Sequence, residues 1–435
     1  MNLRNQMIYQ VFLRNYKDGT FQGLQNDLPR IRELGADWIC LLPIHPIGEL
    51  NRKGSLGSPY AIRDYRAIDP SYGTTEDFRR FCDEAHRAGI RVMMDIVFNH
   101  TSPDSVLTVT HPEWFYRTAD GKMGNRIGDW WDVVDLDYGN PALWDYQIET
   151  LKMWAAYADG FRCDVAPMIP IEFWVKARHA AEEVNPGIVF LAESGEPEFI
   201  TFLRRSGING ASDGELYQAF DICYDYDIYP LQKQVQLGEC ALQEYTEAVN
   251  RQEGIYPDRA CRMRFLENHD RPRAAALAAN ENALKNWTAW SYFAKGAVLV
   301  YAGQEFRNRH HPTLFDADPI SFDTGYDDSA FLKRLHDIKQ DAVFAHSDFH
   351  AESRGNNEVA VAVHAGRIHT EAEGRTAVGI FSFRGNAASV FVDLPDGQYI
   401  NQTDGSTVEV YEQIIRTDGL PIVLLLQENE PARGK

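Results

Sequence analysis

A chain of 435 residues is too long for one ordinary core, so the sequence predicts a large domain with one or two smaller ones. Its 44% hydrophobic and 12% aromatic residues are ample for a packed interior, yet no apolar run approaches the ~18 residues that a membrane span requires. A net charge of −20 argues against nucleic acid or an anionic membrane surface as partner, leaving a neutral ligand as the natural inference.

Met1–Gln6 leads straight into the strand-like run Met7–Phe12 without a signal peptide, so a cytoplasmic location is expected. A helical pattern follows at Leu24–Leu34 and stops at Gly35, a residue suited to ending a helix. Trp38–Leu42 is a continuous apolar run closed by Pro43, as a buried parallel strand reads. Thr75–Ala88 is helical, with Thr74 or Thr75 as its cap, and Arg91–Ile96 is the next strand. From about Phe98 to Tyr138 the rhythm breaks into a stretch rich in Pro, Gly, Asp and Trp. A loop this long within a compact domain is usually functional.

Alternation resumes with a helix at Pro141–Tyr157, a strand at Gly160–Cys163, a helix at Ile171–Val184 and a strand at Gly187–Ala192. Further units are expected at Leu216–Ile222, Leu231–Asn250, Arg264–Leu266 and Ala274–Phe293, and Ala297–Tyr301 is the last strand. Eight strands, mostly followed by helices, predict an α/β fold: a (β/α)8 TIM barrel with an excursion after the third strand. Beyond about Ala345, Ala360–His364, Ala377–Phe383, Ala388–Leu394 and Ile422–Leu426 read as a separate C-terminal antiparallel β-sandwich. The expected division is barrel 1–97, excursion 98–138, barrel 139–344 and sandwich 345–435. Six scattered cysteines without CxxC spacing read as free, mostly buried thiols.

Chemistry in such a barrel sits at the C-terminal ends of its strands. Strand three ends in Asp95–His100, strand four in Arg162-Cys163-Asp164, strand five at Glu193, and strand seven runs into Glu267-Asn268-His269-Asp270. Alternation puts Arg162 and Asp164 on one face, where the guanidinium is expected to hold the carboxylate ionised and lower its pKa. Any one of these is ordinary as a structural ion pair or loop cap. Together they supply the two carboxyl groups of opposed environment that glycosidic bond cleavage requires.

The stretches Asp95–His100, Gly160–Asp164, Glu193 after Phe190-Leu191-Ala192, and Phe265–Asp270 resemble the four short motifs of the α-amylase family, glycoside hydrolase family thirteen. Ser58–Tyr65 with Ile68–Thr74, Val134–Asp137 and Val300–Glu305 resemble further family stretches. The resemblance implies a retaining hydrolysis of α-1,4 bonds in starch-derived oligosaccharides through a glycosyl-aspartate. It assigns Asp164 as nucleophile, Glu193 as acid and base, and Asp270 as the third acidic residue. Arg162 would orient Asp164, His100 and His269 would bond the sugar at the cleaved position, and Tyr60 would stack on it. Trp130 and Trp131 are further stacking candidates. The chemistry needs no cofactor. A structural calcium is implied in many members, with Asn99, Asp137 and the carbonyl of Met168 as its ligands here. Val165-Ala166-Pro167-Met168 stands where many members carry a Lys-His pair, and Val165 resembles α-1,6-active and mixed-linkage members. The open alternatives are therefore a neopullulanase, glucanotransferase or sucrose-type relative and, behind them, a non-catalytic carbohydrate-binding relative. The partner implied is an α-glucan or maltooligosaccharide, with no nucleic acid and no membrane. The sequence does not assign an oligomeric state.

Overall fold

The computed structural model describes residues 2–356 and 358–427. The end of the predicted sandwich, 428–435, lies outside them. Eight strands form a closed barrel: β1 (Met7–Val11), β2 (Trp38–Leu41), β3 (Arg91–Ile96), β4 (Gly160–Cys163), β5 (Val189–Ala192), β6 (Ile222–Tyr224), β7 (Cys261–Arg264) and β8 (Ala297–Tyr301). Their order around the barrel is their order in the chain, the arrangement that right-handed βα crossovers generate. Near-continuous burial explains why the strands read as apolar runs rather than alternating ones.

The chain groups into two compact units. One comprises Ile8–Tyr224 with His311–Phe322. The other comprises Asp225–His310 with the described parts of Met1–Met7 and Asp323–Lys435.

In the first unit, the helix Thr75–Arg87 begins in a capping box. The Thr74 side chain accepts from the Asp77 N–H, and the Asp77 carboxylate accepts from the Thr74 N–H. The single helix expected at Leu24–Leu34 is instead two short ones, Phe21–Asn26 and Leu28–Glu33. Pro29 in the first turn of the second lacks the N–H that would continue the first. The excursion is not structureless. His100–Thr101 pairs antiparallel with Val134–Asp135, and Val106–Thr110 is a short helix. The sixth strand is displaced from its predicted place, because Leu216 closes the helix Asp213–Leu216 that Ser212 and Glu215 cap.

In the second unit, the seventh strand is Cys261–Arg264 rather than Arg264–Leu266. Arg262 and Arg264 are buried there because Asp225 faces both, with Arg264 Nη1 2.6 Å from Asp225 Oδ2. The helix expected over Leu231–Asn250 breaks into Tyr229–Leu237 and Leu242–Ile255 at Gly238, whose φ of 81° suits glycine alone at low strain. The C-terminal region is two four-stranded antiparallel sheets. Val359, Val378 and Ile380 of one and Val390, Val410 and Ile415 of the other share one core. Helix Glu281–Phe293 packs on this region, with Trp287 stacked on Phe383 at 3.8 Å between ring centroids. The six cysteines are free. Among the described residues no helix is long and apolar enough to cross a membrane.

Candidate active site

Parallel pairing fixes the backbones that carry the carboxylates. Asp95 on β3 registers with Arg162 on β4. Beyond the strands the ladder runs on for one residue, as the Asp164 N–H donates to Ile96 O (2.9 Å) and the Glu193 N–H donates to Cys163 O (3.0 Å). Gly160 opens β4 where a Cβ would stand 2.8 Å from the Val189 carbonyl oxygen, so only glycine lets β4 and β5 approach this closely.

Arg162 is fully buried and faces three carboxylates. Its Nη1 donates to Asp95 Oδ1 and to Asp164 Oδ1, both at 2.9 Å. Its Nη2 lies 2.8 Å from Glu193 Oε1, an ion pair in which the N–H points off the oxygen. Tyr60 OH donates to Asp95 Oδ2 (3.0 Å), and its ring lies 5.7 Å from the guanidinium carbon. His100 Nε2 lies 4.0 Å from Asp164 Oδ2. Asn99 Nδ2, 3.1 Å from His100 Nδ1, makes that nitrogen the acceptor and leaves the proton on Nε2.

Two of the carboxyls on this guanidinium, those of Asp95 and Asp164, are harder to ionise than free ones because they lie in a dry site. Burial, with the Glu193 charge, pushes the Asp164 carboxyl well up against the opposing pull of Arg162. Burial likewise pushes Asp95 up to about 7, with Arg162 pulling it down. This corrects the expectation that Arg162 lowers the pKa of Asp164 on balance: its pull is real but smaller than the desolvation. Asp95 and Asp164 therefore hold their protons to higher pH than free carboxyls do, as a pair rather than one by one. His100 is held neutral, lowered to about 3 by burial and by the charge of Lys53.

Two contributions escaped the sequence reading. Asp95 was given no role, although its period-two position opposite Arg162 was a usable signal. The other leaves no trace in a sequence. Val165 adopts a left-handed conformation (φ 35°, ψ 45°), strained for a β-branched residue, and its N–H donates to Glu193 Oε2 at 2.8 Å. Trp130 lies 5.6 Å from the His100 ring and packs with Ile47, Ala61 and Val133, whereas Trp131 is 54% exposed beside the Lys53 ammonium.

Tyr60, His100, Arg162, Asp164 and Glu193 thus meet in one unit. His269 and Asp270 lie in the other, on the turn that follows β7. There His269 is buried with Nε2 3.2 Å from Asp270 Oδ2, and the half-open Asp270 donates its N–H to Asn268 Oδ1 at 2.9 Å.

The implied calcium ligands do not fit a hard cation as they stand. The Asn99 side chain is turned as an N–H donor toward His100 and toward Asp135 Oδ1 at 3.5 Å. Asp137 is exposed and its Oδ1 accepts from the Gly139 N–H. Among the described residues no three His, Cys, Asp or Glu converge as a metal site.

A family model described as the α-amylase catalytic domain matches residues 8–354, and one described as the bacterial α-amylase C-terminal domain matches 353–424. The crystal structure of an α-amylase from Lactobacillus plantarum is 44% identical, with a TM-score of 0.94 over 98% of this chain and 99% of its own. The noncanonic maltogenic α-amylase AmyB from Thermotoga neapolitana is 32% identical, with a TM-score of 0.86 over 98% and 100%. A curated relative, the α-1,4-glucan:maltose-1-phosphate maltosyltransferase of Myxococcus xanthus, is 35% identical over 43% of this chain. That match spans 32% of the relative's own length. With most of its length matched by the catalytic model, the chain belongs to the α-amylase family, glycoside hydrolase family thirteen.

Proposed function

We propose that the protein is a retaining α-glucan hydrolase that cleaves α-1,4 bonds in starch-derived oligosaccharides. The observation that carries the reading is one buried guanidinium contacting both Asp164 and Glu193. Carboxyl groups that share one guanidinium are near neighbours, in keeping with the ~5–5.5 Å separation of retaining enzymes rather than the wider inverting gap.

In the first step an Asp164 oxygen attacks the anomeric carbon, the bond to the leaving oxygen breaks, and Glu193 gives that oxygen its proton. In the second, Glu193 takes a proton from water, whose oxygen attacks the anomeric carbon and releases Asp164. Arg162 orients Asp164, and Asp95 completes the guanidinium's shell while holding Tyr60, whose ring offers the sugar an apolar face. His100, with its proton on Nε2, donates to the sugar at the cleaved position. By the motif they occupy, His269 is assigned a sugar-bonding role and Asp270 that of the third acidic residue.

A second reading is transfer to a sugar acceptor, favoured by relatives named as maltosyltransferases. Product analysis separates the two. Starch and maltotriose are expected to give shorter maltooligosaccharides with one new reducing end per bond broken. Elongated products without a matching gain of reducing ends would make transfer the activity. Products from pullulan and panose read the linkage.

A further inference from the structure

The excursion returns to the barrel through a buried carboxylate that needs a cation. Asp135 is fully buried, and Arg126 faces it. The Arg126 backbone N–H donates to Asp135 Oδ2 at 2.8 Å, and its Nη1 lies 3.3 Å from that oxygen and from the Leu136 carbonyl. The guanidinium also lies over the Tyr116 ring at 4.3 Å from its centroid. On its other side Asp135 meets Asn99 Nδ2, which reaches His100 Nδ1, while Leu136 N–H donates to Asn99 O at 2.9 Å. His100 in turn presents Nε2 toward Asp164. One line of contacts therefore runs from an excursion arginine to the proposed nucleophile.

A cation at this junction has two tasks. It must compensate a carboxylate that would otherwise be a buried, unpaired charge, and it must hold the excursion hairpin against the end of β3. Arg126 does both from within the chain. By fixing Asp135 it also fixes the amide of Asn99, whose Nδ2 sets the ring plane and tautomer of His100. We propose that Arg126 serves as a built-in replacement for a pinning metal ion and as a positioning residue that acts on the reaction through Asp135, Asn99 and His100. The kinetic half of this proposal rests on the glucan-cleaving reading; the pinning half does not.

The full-length protein is tested in two arms. In the first, the melting temperature of the wild type is read after exhaustive chelation and after calcium is added back. No change is expected, and a fall on chelation restored by calcium overturns the proposal. In the second, Arg126→Met, Arg126→Lys, His100→Gln and the Arg126→Met/His100→Gln pair are assayed on maltotriose at a temperature where each is folded. Arg126→Met is expected to lower kcat/KM about ten- to a hundredfold, by analogy with the range seen when the partner that orients a metal-binding histidine is lost. Arg126→Lys should recover most of it. The double variant should be no worse than His100→Gln alone, because both changes act through one ring. Independent, additive losses would leave Arg126 a merely structural ion pair and overturn the positioning role. If Arg126→Met does not fold, the same cycle is run with Arg126→Gln, which also removes the charge, and the chelation arm stands by itself. A wild type that turns over no glucan counts against the glucan-cleaving reading, while the melting data still judge the pinning role.

Discussion

Arg162 brings one positive charge to Asp95, Asp164 and Glu193, and its position explains how the proposed nucleophile and the proposed proton donor share one site. Asp95 is the member without a bond-making task, so its removal isolates the positioning effect. Asp95→Asn loses charge-assisted bonds to Arg162 and Tyr60, each worth ~1.5–3 kcal/mol. Its kcat/KM on maltotriose is expected to fall at least about tenfold with the fold retained. An unchanged value would make the Asp95 contacts merely structural. Glu193 is tested by leaving-group chemistry. Glu193→Gln should impair maltotriose, whose leaving oxygen needs a proton, far more than an activated aryl maltoside, which does not. Equal losses for both would remove Glu193 as the acid.

At the scale of elements, close approach adds to the ladder hydrogen bonds that join β4 to its neighbours. Gly160→Ala inserts a methyl 2.8 Å from the Val189 carbonyl oxygen and 3.0 Å from Met93 Cε. A backbone atom cannot swing aside, so the variant should lose ~1–3 kcal/mol of stability, read as a lower melting temperature. A melting temperature equal to wild type would show that β4 can shift to make room. The strands richest in apolar residues, β2, β3 and β8, were legible from sequence because burial on both faces leaves a continuous hydrophobic run. β7 was placed too late because Arg262 looks like a surface residue until Asp225, distant in sequence, supplies its partner. The five clustered site residues were legible through short motifs. The Val165 turn was not, since a backbone N–H and a positive φ carry no residue-type signal.

At the scale of the whole molecule, buried histidines link folding to pH. His364 donates Nε2–H to the Phe293 carbonyl and accepts from Ser347 OH, both at 2.7 Å, joining one C-terminal sheet to helix Glu281–Phe293. Burial lowers its pKa from 6.5 to about 3. Between those values the unfolded chain binds a proton that the folded chain refuses, so this stabilisation is complete above pH 6.5 and drains away as pH falls toward 3. Asp95, raised to about 7, acts in the opposite sense, because its folded form holds the proton longer. Comparison with His364→Gln separates the two. The stability gap between wild type and variant should be constant above pH 6.5 and narrow below it, by up to about 1.4 kcal/mol per pH unit. A gap independent of pH would mean that His364 takes up its proton in the fold as readily as in the unfolded chain.

The central claim is double displacement with retention at Asp164, and proton NMR of the first minutes of maltotriose cleavage tests it most directly. Newly formed reducing ends are expected to appear as the α-anomer and only later to relax toward the equilibrium mixture. Initial release of the β-anomer would mean a single inverting displacement by water, and Asp164 could not then be the nucleophile.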